Sequence, residues 1–593
     1  MSVARVRKLV DKRIRVPALI WGGLLASLLI VLPVTAQADP PTRRVHAPYF
    51  SSNVLYPQTA IFWFGRITPT ENYTDVRVGY NDSHLYVNFA VSDRRLWYDT
   101  SPAPADMTAW DAATLYLDLD GNTGSVPDAD AYRFIAQLNF WESRAGYQVA
   151  YRGDGVGWTQ ADIAFTATSG WRGDAPNTNA DDRGWTMTFV IPFTSLGLSG
   201  KPATGDMWGL SVAVHDRDDA GGTPIADTFW PETLQGARPE TWGELVFGRP
   251  PAYVPKPYVP GSEKTTTIRD RLNGATVVDG AVGGHTTCGG GLDYWTQWGE
   301  KNYAGLWIFN IQNQADISDW PCNSKYYVTF PLDLVPADKI IVDAKVTLHQ
   351  FGGAGAGWTP PAQPSLIQTL TVEEPWNEFT LAWNNAPLAA EFVSATWVDP
   401  TSVYLGQPGK PWTWDVTSAV AAAYADGKPL SLVFYEADAA YHSGKYFRTS
   451  EEEEFDAVGR PTLVVTWAEP VATLNAVAWP REVEYGDVVV FNLIVTGSGH
   501  PLTLTDWLPN HVSPPVSLAP GLTFTAPDRF TWMGAPAYNT QVVLGYAVTV
   551  TTSSRVAIYN RAILTQTATV TDSAYAVVFV DPLKVYLPIV NKR

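Results

Sequence analysis

Residues 441–467, YHSGKYFRTSEEEEFDAVGRPTLVVTW, read as strand, loop, strand. Lys445-Tyr446-Phe447-Arg448 is a short aromatic run, Ser450 to Gly459 is acidic and glycine-bearing, and Pro461 to Trp467 alternates with β-branched residues as a half-buried strand does. A boundary follows at Glu469-Pro470. Just upstream, residues 412–424 place apolar side chains at three- and four-residue spacing, predicting one short helix or turn, and Leu430 to Tyr435 is a further strand.

Further upstream stand Glu374-Pro375-Trp376, then Thr380-Leu381-Ala382-Trp383-Asn384-Asn385-Ala386-Pro387, and the strand Ile340 to Leu348. Together these segments resemble the DNRLRE family, also classified as carbohydrate-binding module family 96, over roughly Thr265 to Trp467. The resemblance implies a β-sandwich that binds glycan.

The 593 residues carry 25 Trp, 27 Tyr and 23 Phe with only 17% charged residues, a composition of secreted β proteins, and predict three or four domains. Formal charge is −18. Residues 1–38 hold six Lys/Arg and one Asp, so the remainder holds 35 basic and 58 acidic residues, a net of −23. That surface disfavours nucleic acid and anionic membrane as partners.

The first 38 residues read as a signal peptide: a basic region from Arg5 to Arg15, an apolar run from Ala18 to Leu32, and Ala36-Gln37-Ala38 as the small-x-small cleavage site. An uncleaved anchor is the rival reading, but the apolar run is short of the roughly 20 residues that span a bilayer. No other stretch has transmembrane character, so the expectation is a secreted, extracellular or cell-surface bacterial protein. The two cysteines, Cys288 and Cys322, predict a disulfide worth ~3–4 kcal/mol in such a compartment. A metal site on His285 and Cys288 is the rival, with too few ligands for closed zinc.

The predicted organisation is all-β, three tandem β-sandwiches (jelly-roll or immunoglobulin-like) after the leader. Residues 39–53 read as a tether, 54–248 as the first sandwich, 249–264 as a Pro-rich spacer holding two domains apart, 265–468 as the second sandwich, 470–581 as the third and 582–593 as a tail. In HLYVNFAV, residues 84–91, Leu85, Val87, Phe89 and Val91 fall on one face with Tyr86 and Asn88 on the other.

Residues 76–87, Trp110 before Leu115-Tyr116-Leu117-Asp118, residues 185–193 and Trp242-Gly243-Glu244 are similar to carbohydrate-binding module family 9 and its DOMON-like relatives. The resemblance implies sugar held between tryptophans. Trp110 matches the first of these and Arg133 an arginine position; Tyr116 stands where an acid is expected, and the second tryptophan is not obvious. A pyranose offers C–H groups to an indole face and hydroxyls to planar polar groups, so Trp110, Trp97 and Trp230, beside turn signals, are candidate stacking residues with Arg133. Against this, most tryptophans of a sandwich are packing residues.

Asp118, Asp120, Asn122 and Asp130 space oxygen ligands as a calcium loop does, without the EF-hand pattern; the plain alternative is a solvated acidic turn. The run Glu451 to Glu454 reads as a solvated loop that could otherwise hold calcium or a basic partner. Residues 483–496, 502–510 and 558–562 resemble the immunoglobulin-like repeat called domain of unknown function 11, implying a stalk.

No nucleophile elbow, His-Glu-x-x-His or P-loop is present, and Glu373, Glu374 and Glu378 are the nearest carboxylate set for glycoside hydrolysis. The sequence thus points to a non-catalytic exported protein that binds polysaccharide or cell-surface glycan. Alternatives are a structural cell-envelope component with an envelope partner, or a haem-binding DOMON-like domain using His84 or Met107.

Overall fold

The computed structural model describes residues 41–581, apart from 122–123, 141, 224, 257, 259–260, 285–290, 315–321, 338, 354–360, 402–403, 439–442, 469–470, 498–500, 538–539 and 567–568. The leader, the tail, Cys288, His285 and Asn122 lie outside the described residues; Cys322 is buried at the start of its strand. Among the described residues strands dominate, with one short α-helix, α1 (Thr417–Ala425), where the apolar spacing placed it. No helix among the described residues is long and apolar enough to cross a membrane.

In the first sandwich the strands are β1 (Arg44–Ala47), β2 (Ala60–Gly65), β3 (Tyr73–Tyr80), β4 (His84–Ser92), β5 (Ala112–Asp118), β6 (Ala131–Gln137), β7 (Gln148–Gly153), β8 (Trp158–Gln160), β9 (Thr166–Arg172), β10 (Gly184–Pro192), β11 (Met207–His215), β12 (Thr228–Trp230) and β13 (Gly243–Phe247). One sheet runs β1-β13-β11-β5-β6-β7-β8 with β12 beside β11; the other runs β2-β3-β4-β10-β9. Two-residue periodicity builds the core: Leu85, Val87, Phe89 and Val91 of β4 meet Trp185, Met187, Phe189 and Ile191 of β10, all fully buried.

Two expectations are corrected. Arg44–Ala47, read as tether, is an edge strand parallel to β13. Arg43 beside it is buried and ion-pairs with Glu232 and Glu374, so this segment is clamped between the first and second sandwiches. Nor does the Pro-rich segment hold those sandwiches apart. In β3 every residue is buried: Val76, Val78 and Tyr80 face their own core, while Tyr73 and Asp75 on the opposite face meet the second sandwich. Ile61 and Trp63 of β2 join Trp298, Trp383, Leu381, Tyr327 and Tyr435 in that shared apolar layer.

Lys325 lies inside the layer, 2% exposed, with its ammonium 3.7 Å from the Trp383 ring centre, 4.3 Å from Trp63 and 4.8 Å from Tyr435. It donates to the Tyr73 hydroxyl at 2.7 Å, which donates to Asp75 at 2.5 Å. Asp75 also accepts from Tyr435 at 2.9 Å and Asn313 at 2.7 Å. Burial pushes the Lys325 pKa well down, opposed by the Asp75 charge.

The second sandwich packs strands such as Ile340–Gly353, Lys445–Arg448 and Thr462–Ala468 against a layer containing Cys322–Phe330, Ser365–Thr371 and Leu430–Glu436. The acidic run is partly structural rather than solvated: Glu452 is buried against Arg448 at 2.9 Å, and Glu454 pairs with Arg460 at 2.8 Å. The third sandwich sets a four-stranded sheet against a six-stranded one around Phe491, Leu504, Phe530 and Val578.

Candidate functional site

The outer face of the β5-β6-β7-β8 sheet carries the first sandwich's chemistry. Antiparallel register places Tyr116, Arg133, Tyr151 and Gln160 directly across from one another on four successive strands. Their sequence neighbours Leu115, Leu117, Tyr132 and Phe134 point into the core. Arg133 lies 4.1 Å from the Tyr151 ring centre and 5.3 Å from that of Trp158, and its Nε is buried without a hydrogen-bond partner. Trp158 lies parallel to Trp242 at 6.2 Å, with Tyr116 tilted against both. The loop after β12 covers this corner, since Trp158 and Trp242 donate their indole N–H to the carbonyls of Gly236 and Gln235 at 3.2 and 3.3 Å. Burial raises the Tyr116 pKa while the Arg133 charge lowers it.

Trp110 stands at the other end of the same face, half-buried, with the Arg217 guanidinium 3.7 Å from its ring centre. Arg217 is fixed by the carbonyls of Asp219 at 2.9 Å and Ala220 at 2.8 Å. Between the two ends, Thr114 Oγ1 bonds His215 Nε2 at 2.8 Å and His215 Nδ1 meets Asp227 at 2.9 Å. Thus the structure puts Trp110 and Arg133 on one sheet face, and adds Trp158, Tyr151 and Arg217, which sequence reading missed. Trp158 had a signal: it follows Asp154-Gly155-Val156-Gly157, a turn that aims a short strand back along β7.

Trp230 is corrected. It is 1% exposed and packs on Phe62 at 4.2 Å in the core, because β12 pairs inward against β11. Trp97 is also buried, its backbone N–H donating to Asp111. Of the two alternative haem-ligand residues, His84 is on β4 of one sheet and Met107 packs over Ile135 and Val149 outside the other. Of the carboxylate set, Glu374 is taken up by Arg43.

Asp118, Asp120 and Asp130 converge as the spacing suggested, each offering an oxygen within 4.8 Å of the others. Both Asp118 oxygens are buried without hydrogen-bond partners, and hard anionic oxygens set around a tight turn suit calcium. Burial, then the neighbouring carboxylates, raise the Asp118 pKa well up and that of Asp130 to about 8. A second triad that spacing could not show, Asp93, Asp111 and Asp216, comes from three separate segments. Asp111 accepts the Trp97 and Arg217 N–H groups at 2.7 and 2.9 Å, so this triad also anchors the loop that lays Arg217 on Trp110. Burial, with the Asp218 charge second, raises the Asp93 pKa to about 8.

The second sandwich has its own aromatic patch: Trp307 (48% exposed) and Tyr404 (74%) flank Phe351, with Arg448 4.9 Å from the Trp307 ring centre. By contrast, Trp383 and Asn384 of the Trp383-Asn384-Asn385 motif are spent on the interface with the first sandwich, while Asn385 closes its own loop on Ala382 and Thr380. Asn384 bonds both backbone polar groups of Ile67, at 2.9 and 3.0 Å.

Residues 295–466 match the model of carbohydrate-binding module family 96. No curated protein sequence matches the chain significantly. Among solved structures, the chain is similar to a carbohydrate-binding module family 9 from Caldicellulosiruptor kristjanssonii in complex with glucose, at 19% identity over 36% of this chain and 99% of that one, TM-score 0.25. It is also similar to a glycosyl hydrolase family 2 member from Bacteroides cellulosilyticus, at 11% identity over 54% and 36%, TM-score 0.16. A third is the N-terminal domain of the Streptococcus gordonii adhesin Sgo0707, at 7% identity over 91% and 98%, TM-score 0.15. The chain is an all-β protein of packed sandwiches, and its residues 295–466 resemble carbohydrate-binding module family 96.

Proposed function

We propose that this is an exported, non-catalytic protein that binds polysaccharide or cell-surface glycan on the outer face of the first sandwich. The observation that carries the reading is Arg133, its Nε unpartnered, held between Tyr151 and Trp158 on an aromatic sheet face with Trp110 at its far end. Aromatic faces take sugar C–H groups, and the guanidinium, Tyr151 and Asp227 supply planar or charged partners for hydroxyls. The family 96 match over 295–466 supports glycan as the ligand class, and the Trp307–Phe351–Tyr404 patch gives that sandwich a second contact surface. Since the first two sandwiches are packed together, both surfaces ride on one body, and two weak contacts add by avidity.

Calcium in the Asp118, Asp120 and Asp130 loop belongs to the same reading, as does a Cys288–Cys322 disulfide. Calcium there would fix the β5-β6 turn and hence the register carrying Tyr116 and Arg133. The third sandwich is a stalk.

The test is retention of the intact chain on insoluble and soluble plant, algal and bacterial polysaccharides, with Arg133→Ala, Trp158→Ala and Trp110→Ala in parallel. Binding weakened at least tenfold by Arg133→Ala supports the site. Binding unchanged by all three but abolished by Trp307→Ala moves it to the second sandwich. Binding of the folded, calcium-loaded chain to none of them favours a purely structural envelope role.

A further inference from the structure

The third sandwich reaches into the acidic loop of the first. Arg555, from the turn between strands Gln541–Thr549 and Ala557–Gln566, is 1% exposed although it is a surface-loop residue of its own domain. None of its Nε, Nη1 and Nη2 atoms has a hydrogen-bond partner; its nearest ion-pair contact is Glu244 Oε1 at 3.6 Å, and Glu244 is already engaged by Arg44 at 2.7 Å.

The side chain lies across Gly121, in the middle of the Asp118–Asp130 turn, so closely that a Cβ there would overlap its Cδ, Cγ and Nε. Its Nη1 and the Asp118 side chain both border the space that a Cβ at Gly209 would fill. A buried guanidinium with no hydrogen-bond partner and one long ion pair to Glu244 therefore lies beside a buried carboxylate, Asp118, that has no hydrogen-bond partner either. Other charges around the seat are Asp120, Asp130 and Asp581 on the acidic side and Arg44 on the basic side.

We propose that Arg555 and a divalent cation draw on the same acidic loop, so that cation occupancy of the Asp118, Asp120 and Asp130 site loosens the third sandwich from the first. This rests on the calcium reading of the loop. Without a metal, the guanidinium is a cation of the third sandwich set against Asp118 and Asp120. A bound divalent ion takes up those carboxylate oxygens and itself repels the guanidinium at short range in a poorly screened site. The coupling is reciprocal: what weakens Arg555 docking when calcium binds must weaken calcium binding when Arg555 is docked. Gly121 is the structural condition, since any side chain at that position would hold the arginine off the loop.

The experiment is calcium titration of the chelator-treated intact chain by calorimetry, for the wild type, Arg555→Gln and Asp118→Asn, with small-angle scattering at each end point. Expected are calcium binding at least tenfold tighter in Arg555→Gln than in the wild type, and a larger radius of gyration for wild type with calcium than without. Arg555→Gln should have the larger radius with or without the ion. Equal calcium affinity in the wild type and Arg555→Gln, with Asp118→Asn weaker than both, would overturn this inference while leaving the calcium loop in place. No calcium binding by the folded wild type or by folded Arg555→Gln would overturn both.

Discussion

Replacing Asp75 by asparagine should separate the first two sandwiches thermodynamically. The carboxylate is fully buried and accepts from three donors, Tyr73, Tyr435 and Asn313. An amide of the same shape presents one oxygen and one NH2, so whichever way it is turned at least one of those donors faces another donor. It also removes the nearest anion to the caged Lys325 ammonium. Removing one partner of a buried charge pair costs about 3–5 kcal/mol. Lys325 can relieve part of that by releasing its proton, since burial already pushes its pKa well down, so the upper figure is a ceiling. For two sandwiches melting together, this corresponds to roughly 3–10 °C in Tm. Scanning calorimetry of the intact chain is the assay: the wild type should show one joint transition for the two sandwiches, lowered in Asp75→Asn or split in two. A wild type whose two sandwiches melt separately, or a variant shifted by less than about 1 °C, would refute the coupling.

Other consequences follow from single contacts. Trp230→Ala should cost about 3–5 kcal/mol through a core cavity, with polysaccharide affinity of the still-folded fraction unchanged, checked by chemical denaturation beside the retention assay. Asn384→Ala breaks the paired bonds to Ile67 and should cost about 1–3 kcal/mol, read as faster proteolysis between the first two sandwiches. Burial raises the Asp506 pKa in the third sandwich to about 7, against 3.8 for an ordinary aspartate. The folded state therefore holds a proton that the unfolded chain gives up, so this stabilisation is full below about pH 4 and is lost as pH rises to about 7, ~4 kcal/mol in all. The transition of the third sandwich should accordingly fall in Tm between pH 5 and pH 8, and Asp506→Asn should remove part of that dependence, the rest coming from Asp572, which burial also raises to about 7.

Strands with one wet face were legible in the sequence because their side chains alternate: HLYVNFAV gave β4 nearly to the residue. What alternation could not convey was burial on both faces. In β2, AIFWFG, and β3, YTDVRVGY, the residues turned away from the core look like ordinary exposed positions or surplus hydrophobics until the second sandwich is laid over them. The same ambiguity hides the role of Trp383 and Asn384, whose motif is a docking surface here. Of the site, Trp110, Arg133 and the aspartate loop could be found by local pattern or resemblance. Trp158 was signalled only by the turn before it, Tyr151 and Arg217 join the site through strand register and a long loop, and the Asp93, Asp111 and Asp216 triad comes from three distant segments with no spacing to read. Trp230 misled because a tryptophan beside a turn looks exposed, whereas β12 folds it under Gly243 and onto Phe62.

The central claim is that glycan lies on the outer face of the first sandwich, and amide hydrogen exchange of the intact chain with and without a polysaccharide that retains it tests this most directly. The expected result is added protection in β6, β7, β8 and the 231–242 loop, with little change in β2 and β3 beneath the second sandwich. Protection confined to residues 295–466 would contradict it.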